Sequence, residues 1–275
     1  MGSQLGHDCT ACLWPVTAEV YHATREFISH GQVEKYRDSP REYYLEYVAA
    51  TQREDSKSDD LRLGSALHEL LLLPDQFARR WHRVGLMNGR GEPWNRRLKA
   101  DREELLGIEV SHQGRVLSYE EQARVNAWRD ALVNGKATGP YVRAVGAVYE
   151  TPITWIDQET GLVCKCMPDV YLPETRTVVN VKTSRVIRPV EFRREIENRG
   201  YHRGGAWYLA GVEALYGEGP AFHAWAVVDK ETLQTALYTV RLSDLVKARA
   251  QNRSTLVAMA EAFKTGDWSA PFARA

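Results

Sequence analysis

The chain has 275 residues, 44% of them apolar and 26% charged, which is enough to bury one sizeable core. Lys plus Arg and Asp plus Glu balance at 36 each, so net charge gives no sign of a nucleic-acid partner, although a neutral chain can still bind one through a local basic face. The sequence has no signal-peptide pattern and no apolar run of membrane-spanning length, so we expect a cytoplasmic protein without membrane contact.

The first half of the chain is predicted to be helical. Residues 1–27 lack clear periodicity and are predicted to form an N-terminal arm, followed by a main domain over 28–275. Ser29 is a typical helix cap, and Ser39-Pro40 predicts that a second helix starts there. Residues 51–60 are polar and charged, which indicates a loop.

Three further helices are predicted before the strands begin. They cover 61–73, ended by Pro74, then 94–106 and 118–134, and the Gly-rich residues 83–93 between the first two are expected to be mobile. Ser118 and Glu121 form a capping-box pattern at the start of the last one.

The second half alternates strands and helices. The segments 147–156, 161–172 and 175–184 are β-rich and are predicted to form a three-strand meander. The elements predicted after it are helices near 190–199 and 202–215, strands at 222–229 and 233–241, and a closing helix over about 242–264. This order predicts an α/β or α+β domain.

Four cysteines occur in two close pairs. Cys9-x-x-Cys12 matches half of a zinc or iron–sulfur site, for which Cys164-x-Cys166 would have to be the complement. Residues two apart on a strand share a face, so the second pair is expected to pack as small, reduced hydrophobes.

The segment KCMPDVYLPETRTVVNVKTS carries the chemistry. If its two strands pair through the PETR turn, Asp169 meets Asn180 and Lys182 at one end of a hairpin. Phosphodiester hydrolysis needs such a cluster, because oxygen ligands hold a hard cation and a lysine positions or deprotonates the attacking water. The competing interpretation is a surface salt bridge between Asp169 and Lys182.

Four segments in order resemble a known nuclease superfamily. Pro168-Asp169, position 180 eleven residues on, and Lys182-Thr183 resemble the PD-(D/E)xK signature. Gly64-x-x-x-His68 resembles the helix that gives RecB- and RecE-like nucleases a histidine beside the metal. ISHGQVEKYRDSPREYY resembles the opening helix of RecE-type exonucleases, and YHRGGAWYLAG stands where they carry a Gln-x-x-x-Tyr helix.

The resemblance implies a fold and a site. The fold would be a restriction-endonuclease-like core, a central mixed sheet flanked by helices, with an N-terminal helical elaboration. Asp169, Asn180 and Lys182 would be the catalytic positions. The metal, Mg²⁺ or alternatively Mn²⁺, would be held by His68, Asp169, Asn180 and the carbonyl of Val181. In isolation, His68 on an apolar helix would be interpreted as a core histidine.

The sequence departs from the family pattern at three positions. Asn180 replaces the expected Asp or Glu, Gly204 stands at the Gln position, and Met167 stands where relatives often carry Arg. Asn keeps a carbonyl oxygen but lacks a full negative charge. Three explanations for Asn180 remain open: an engineered Asp→Asn change, a natural variant with weak activity, and a degenerate nuclease kept for binding. The departures at Gly204 and Met167 favour natural drift.

Two expectations follow from Asn180. Restoring a carboxylate, as in Asn180→Asp, is expected to restore metal-dependent cleavage. If the chain cleaves with Asn180 in place, Glu150 on the preceding strand is the candidate for the missing acidic ligand.

A basic tract follows the catalytic strand. From Arg176 to Arg203 there are eight Lys or Arg against three Glu. The residues expected to contact DNA phosphates are Arg185, Arg188, His202 and Arg203. The helix within the tract has i,i+4 pairs typical of a solvated face. Tyr208 is a candidate for shaping the site, although Tyr208 and Trp207 on a helix also fit a core position.

The resemblance implies a function, and two other functions compete with it. The function is 5′-to-3′ exonuclease action on double-stranded DNA ends in recombination or repair, by a ring-like homo-oligomer that works with a single-strand annealing protein. The rivals are an inactive DNA-binding or scaffold protein on the same fold and a site-specific endonuclease, the latter disfavoured because no separate specificity domain is visible.

Overall fold

The computed structural model describes residues 11–49, 59–95, 97–217 and 222–269. In these ranges the strands are β1 (Ala11–Leu13), β2 (His82–Arg83), β3 (Val116–Leu117), β4 (Val148–Tyr149), β5 (Ile153–Ile156), β6 (Val163–Cys166), β7 (Val170–Leu172), β8 (Thr177–Ser184), β9 (Phe222–Asp229) and β10 (Thr235–Thr239). The α-helices are α1 (Ala18–Ala23), α2 (His30–Asp38), α3 (Pro40–Tyr43), α4 (Asp59–Leu72), α5 (Pro74–Arg80), α6 (Lys99–Ser111), α7 (Tyr119–Asn134), α8 (Gly139–Val142), α9 (Pro189–Asn198), α10 (Tyr201–Tyr216) and α11 (Leu242–Thr265). A turn of π-helix, Tyr44–Val48, continues α3.

The central sheet has five strands in the order β10-β9-β8-β7-β4. Strands β8 and β9 are parallel, and the other neighbours are antiparallel. A parallel pair needs a crossover connection, which α9 and α10 supply. The predicted mixed sheet flanked by helices is therefore confirmed.

Strand β8 is buried on both faces. Val179 and Val181 pack in one core cluster with Leu67 of α4 and Trp128 of α7. Val178 packs on the opposite face in a second cluster with α10 and α11. Helices cover both faces of the strand, so its sequence is an almost continuous apolar run rather than an alternating one.

The predicted three-strand meander is wrong, because two of its segments are divided between two sheets. A separate sheet of order β1-β5-β6 contains the second half of segment 147–156 and the first half of 161–172. The division occurs where Glu150 adopts a left-handed φ of 41°, and again at Met167–Asp169. Periodicity could not reveal either break, because each half still alternates as a strand should.

The capping signals in the helical half are confirmed, whereas the helix predicted over 94–106 begins later, at Lys99, and ends at Ser111. The side chains of Ser29 and Ser39 cap α2 and α3, and Pro40 and Pro74 stand in the first turns of α3 and α5. Ser118 and Glu121 form the expected capping box of α7.

The predicted N-terminal arm, 1–27, contains β1 and α1 in its described part, and residues 1–10 lie outside the described residues. Most of the predicted loop, 51–58, also lies outside them, and α4 begins at Asp59. No helix among the described residues is long and apolar enough to cross a membrane.

Cys164 and Cys166 are fully buried and reduced, as expected of small hydrophobes. Cys12 is also a free thiol, and its Sγ lies 3.3 Å from Oγ1 of Thr154. Cys9 lies outside the described residues, so a metal site at Cys9 and Cys12 stays a prediction.

Candidate functional site

The chain passes between the two sheets at Glu150 and at Met167–Asp169, and these two points lie side by side. The backbone N–H of Glu150 donates to the carbonyl oxygen of Asp169 at 3.2 Å, so both acids lie at the open end of the β7–β8 pair. A cleft of about 1630 Å³ opens there.

Asp169 is held against β8. Val170 pairs with Val179 in the antiparallel β7–β8 hairpin, as predicted, which brings Asp169 beside residues 180 and 181. Its Oδ2 accepts a 2.7 Å hydrogen bond from the backbone N–H of Val181. This bond fixes the carboxylate at the bottom of the cleft.

His68 reaches the same point from α4. Its Nε2 lies 3.1 Å from the carbonyl oxygen of Val181, and its Nδ1 lies 3.6 Å from Oδ2 of Asp169. A carbonyl can only accept, so Nε2 is the protonated nitrogen in this arrangement. Burial lowers the pKa of His68, Asp169 opposes that shift, and Lys182 adds to it. The result favours neutral imidazole, the form that binds metals.

Lys182 lines the cleft beside Asp169. Its Nζ lies 5.6 Å from the ring centroid of Tyr201, and no carboxylate of the described residues is within ion-pair distance of it. Asp169 and Lys182 therefore form no salt bridge in the described part of the chain, contrary to the competing interpretation.

Asn180 does not reach the cleft. Its side chain is 2% exposed, and its Oδ1 accepts a hydrogen bond from Nε2 of His223 at 2.9 Å. Tyr208, a further polar partner of this amide, does line the cleft. The structure thus brings Asp169, Val181, Lys182 and His68 together but directs the Asn180 amide to His223 of β9.

Glu150 adds a second acid to the cleft lining. Burial raises its pKa to about 7, and the charges of Asp169 and Glu69 act in the same direction while Arg80 opposes them. Glu150 thus shares the cleft with Asp169 and His68.

These donors fit a divalent cation only in part. His68 Nε2 and the Val181 carbonyl oxygen are 3.1 Å apart, which is also the roughly 3 Å separation of neighbouring ligands at about 2.1 Å from an octahedral ion, but Nε2 can bind a cation only in the tautomer that carries its proton on Nδ1. Among the described residues, however, no group of three or more His, Cys, Asp or Glu could hold a metal ion. The role of Asn180 in binding a metal stays a prediction.

The basic residues predicted to contact DNA are dispersed. Arg185 lines the cleft, whereas the Arg188 side chain is 82% exposed outside it and lies 3.7 Å from Glu191. Arg203 is bound to Glu34 through Nε at 2.8 Å, and His202 faces a separate small pocket. Of these four residues, only Arg185 is placed to face a substrate in the cleft.

Three other side chains at or beside the cleft were missed by the sequence analysis. Lys165 is buried and donates to the carbonyl oxygens of Tyr21 and Thr24 at the end of α1. His30 lies against Gly204, where a Cβ would be 3.2 Å from its ring. His223 binds Asn180. The available signal for His223 was a lone histidine in the apolar strand FHAWAVVD, although nothing local named its partner.

A mixed sheet that holds an acid and a lysine at one end of a central hairpin, with a histidine from a covering helix, defines a PD-(D/E)xK-like domain. The chain belongs to the family of PDDEXK-like domains of unknown function (DUF3799), whose model matches residues 29–271.

The fold is similar to that of a crystal structure from Eubacterium rectale described as a "putative exonuclease". The two chains are 19% identical with a TM-score of 0.54, and the match covers 92% of this chain and 88% of the other. At this identity the likeness concerns the fold. No curated protein sequence matches the chain significantly.

Proposed function

We propose that the protein is a divalent-cation-dependent nuclease that degrades double-stranded DNA from its ends, as RecE-type exonucleases do. The observation that supports this most directly is the meeting of Asp169, His68 and the Val181 carbonyl beside Lys182 in one cleft. An acid, an imidazole and a carbonyl are ligands for Mg²⁺ or Mn²⁺, and the adjacent ammonium suits the handling of a water nucleophile.

In this proposal the chain's own residues have separate tasks. Asp169, His68 and the Val181 carbonyl hold the cation, which offsets the negative charge that develops on the phosphate. Lys182 orients the attacking water and, as the neutral amine, accepts the proton that the water loses. Glu150 is the further acid that we assign to the cation's surroundings, since Asn180 supplies no charge.

The DNA backbone would be bound by arginines of the cleft that have no carboxylate partner among the described residues. Arg185 and Arg194 line the cleft, and no ion pair to a described carboxylate holds either of them. The 5′-to-3′ polarity, a ring-like homo-oligomer and a single-strand annealing partner are parts of the proposal that only the resemblance to RecE-type exonucleases supports.

A second candidate function is DNA binding without cleavage on the same fold. The observation that favours it is the neutral, buried Asn180, bonded to His223 where an acidic ligand was expected. This protein would keep the arginines of the cleft but bind the cation weakly.

One experiment tests both candidates. End-labelled linear duplex and closed circular duplex of the same sequence are incubated with the full chain in Mg²⁺ or Mn²⁺, with Asp169→Ala as the control. Progressive loss of label from linear DNA alone, abolished in Asp169→Ala, supports the exonuclease. Cleavage of the circle as well indicates an endonuclease. DNA binding without cleavage under any metal supports the second candidate.

A further inference from the structure

The side chain at position 180 belongs to a buried polar cluster between β8, β9 and α10, and it does not line the cation cleft. Asn180 bonds His223 of β9, and the two residues lie on neighbouring parallel strands, with Val178 paired to His223 and Asn180 to Trp225. Both side chains are 2% exposed. The cluster is therefore part of the protein interior.

The surroundings of His223 hold the ring in place. It stacks on Tyr208 with ring planes 10° apart and meets Trp225 edge-on, with centroids 4.7 Å apart. The ring fits under α10 because residue 205 is glycine, where a Cβ would lie 2.9 Å from Nδ1 of His223. These contacts hold the imidazole with Nε2 directed at Oδ1 of Asn180.

We infer that His223 is a positioning residue that holds the side chain of residue 180 out of the cation cleft, so that positions 180 and 223 together set the cation affinity. This inference rests on the proposed cation site. A carboxylate placed at 180 would meet the same Nε2–H donor that Asn180 Oδ1 meets now, and this charge-assisted hydrogen bond would be stronger than the present one. Asn180→Asp alone therefore adds little to the cation site, contrary to the expectation from sequence.

The test compares four full-length chains: the wild type, Asn180→Asp, His223→Leu and the double variant. Mn²⁺ binding is measured by titration calorimetry without DNA, so the readout does not depend on cleavage. We expect the Mn²⁺ affinity to change by at most about threefold in each single variant and to rise by roughly tenfold or more in the double variant. A merely structural His223 would not produce this non-additivity. Circular dichroism checks that each chain is folded, and His223→Ala replaces His223→Leu if the latter does not fold.

Two results would overturn the inference. One is a rise in Mn²⁺ affinity of roughly tenfold or more in Asn180→Asp alone. The other is an unchanged Mn²⁺ affinity in a folded double variant. Cleavage of end-labelled duplex is measured separately. A double variant that binds Mn²⁺ tightly but leaves DNA intact upholds the role of His223 and contradicts the proposed nuclease.

Discussion

Nδ1 of His68 lies 3.6 Å from Oδ2 of Asp169, although 101 residues of sequence separate the two. The contact joins α4, which covers one face of the sheet, to the point where the chain enters β7. Any cation that uses both residues must bind between the helix and the sheet. Its binding should therefore depend on Asp169 more than on any exposed acid.

Replacing Asp169 by Asn should abolish most cation binding. The change removes a carboxylate that the structure holds in place with the Val181 N–H, and no other carboxylate is fixed on His68 in the described chain. We expect Mn²⁺ affinity to fall by roughly 10–100-fold in calorimetric titration. Asp130→Asn, at an acid that is 57% exposed on α7, is the matched control and should change nothing. Equal affinities for the two variants would remove Asp169 from the site.

Replacing Lys182 by Met should slow cleavage far more than it changes cation or DNA affinity. A positioned proton-transfer group typically contributes about 10²–10⁴-fold, so kcat should fall by that order. The measurement uses end-labelled duplex in the Asn180→Asp/His223→Leu background. Lys230→Met is the control, because Lys230 lines the same cleft but is paired with Asp60 at 3.0 Å. A similar loss in both variants would indicate a general charge effect.

Arg185 and Arg188 should differ in their effect on DNA binding. Arg185→Glu, in the cleft, should weaken duplex binding and reduce the slope of log K against log salt by about 1 per lost phosphate contact. Arg188→Glu, outside the cleft, should have a smaller effect. Fluorescence anisotropy over a range of NaCl concentrations measures both. If the two variants behave alike, the cleft is not the DNA-binding surface.

Lowering the pH should reduce the free energy of unfolding through protonation of Glu34. Burial opposes its ionisation, but hydrogen bonds and charges from Arg203, His30 and Arg37 outweigh burial and hold the pKa of Glu34 well below its usual range. A lowered folded-state pKa gives stability that is fully present above the unfolded-state value of about 4.3 and is lost progressively as pH falls from there through the folded-state value. Glu34→Gln should therefore cost roughly 1.5–3 kcal/mol at pH 7 and less at pH 3, which lies inside that window.

Urea unfolding at both pH values measures this difference between wild type and Glu34→Gln. Glu103→Gln, at an exposed acid on α6, is the control that should show no pH-dependent difference. A constant difference across pH would mean that the ion pair with Arg203 does not stabilise the fold.

The packing of α10 on His223 can be tested at Gly205. A Cβ there would lie 2.9 Å from Nδ1 of His223, so Gly205→Ala should destabilise the fold by about 1–3 kcal/mol. At Gly107 in α6 a Cβ meets nothing within 4 Å, so Gly107→Ala should stabilise by roughly 0.5–1 kcal/mol. Thermal melting distinguishes the two, and equal effects would contradict the close packing of α10.

Short-range features of the fold could be predicted from sequence. Ser118 and Glu121 are three residues apart, and the β7–β8 hairpin joins two strands across a short turn, so both leave a local pattern. The two helices between β8 and β9 were also predicted from periodicity, whereas the parallel pairing of these strands was not.

The missing parts of the site depend on partners that are distant in sequence. Asn180 with His223 and Glu34 with Arg203 are pairs whose members give no local sign of each other. The sequence therefore indicated that position 180 lacks a charge but not that its amide belongs to another cluster. It also assigned Arg203 to DNA, because a basic tract does not reveal which arginine is already paired with a half-buried acid.

The attachment of α1 and β1 bears on where the chain can be shortened. Strand β1 pairs with β5 along the edge of the smaller sheet, and the buried Lys165 binds carbonyl oxygens at the end of α1. A protein trimmed to residue 28 would expose the open edge of β5, a template for association between molecules, and would leave a buried ammonium without acceptors. Aggregation of such a fragment would reflect this lost edge rather than any fault in the cleft.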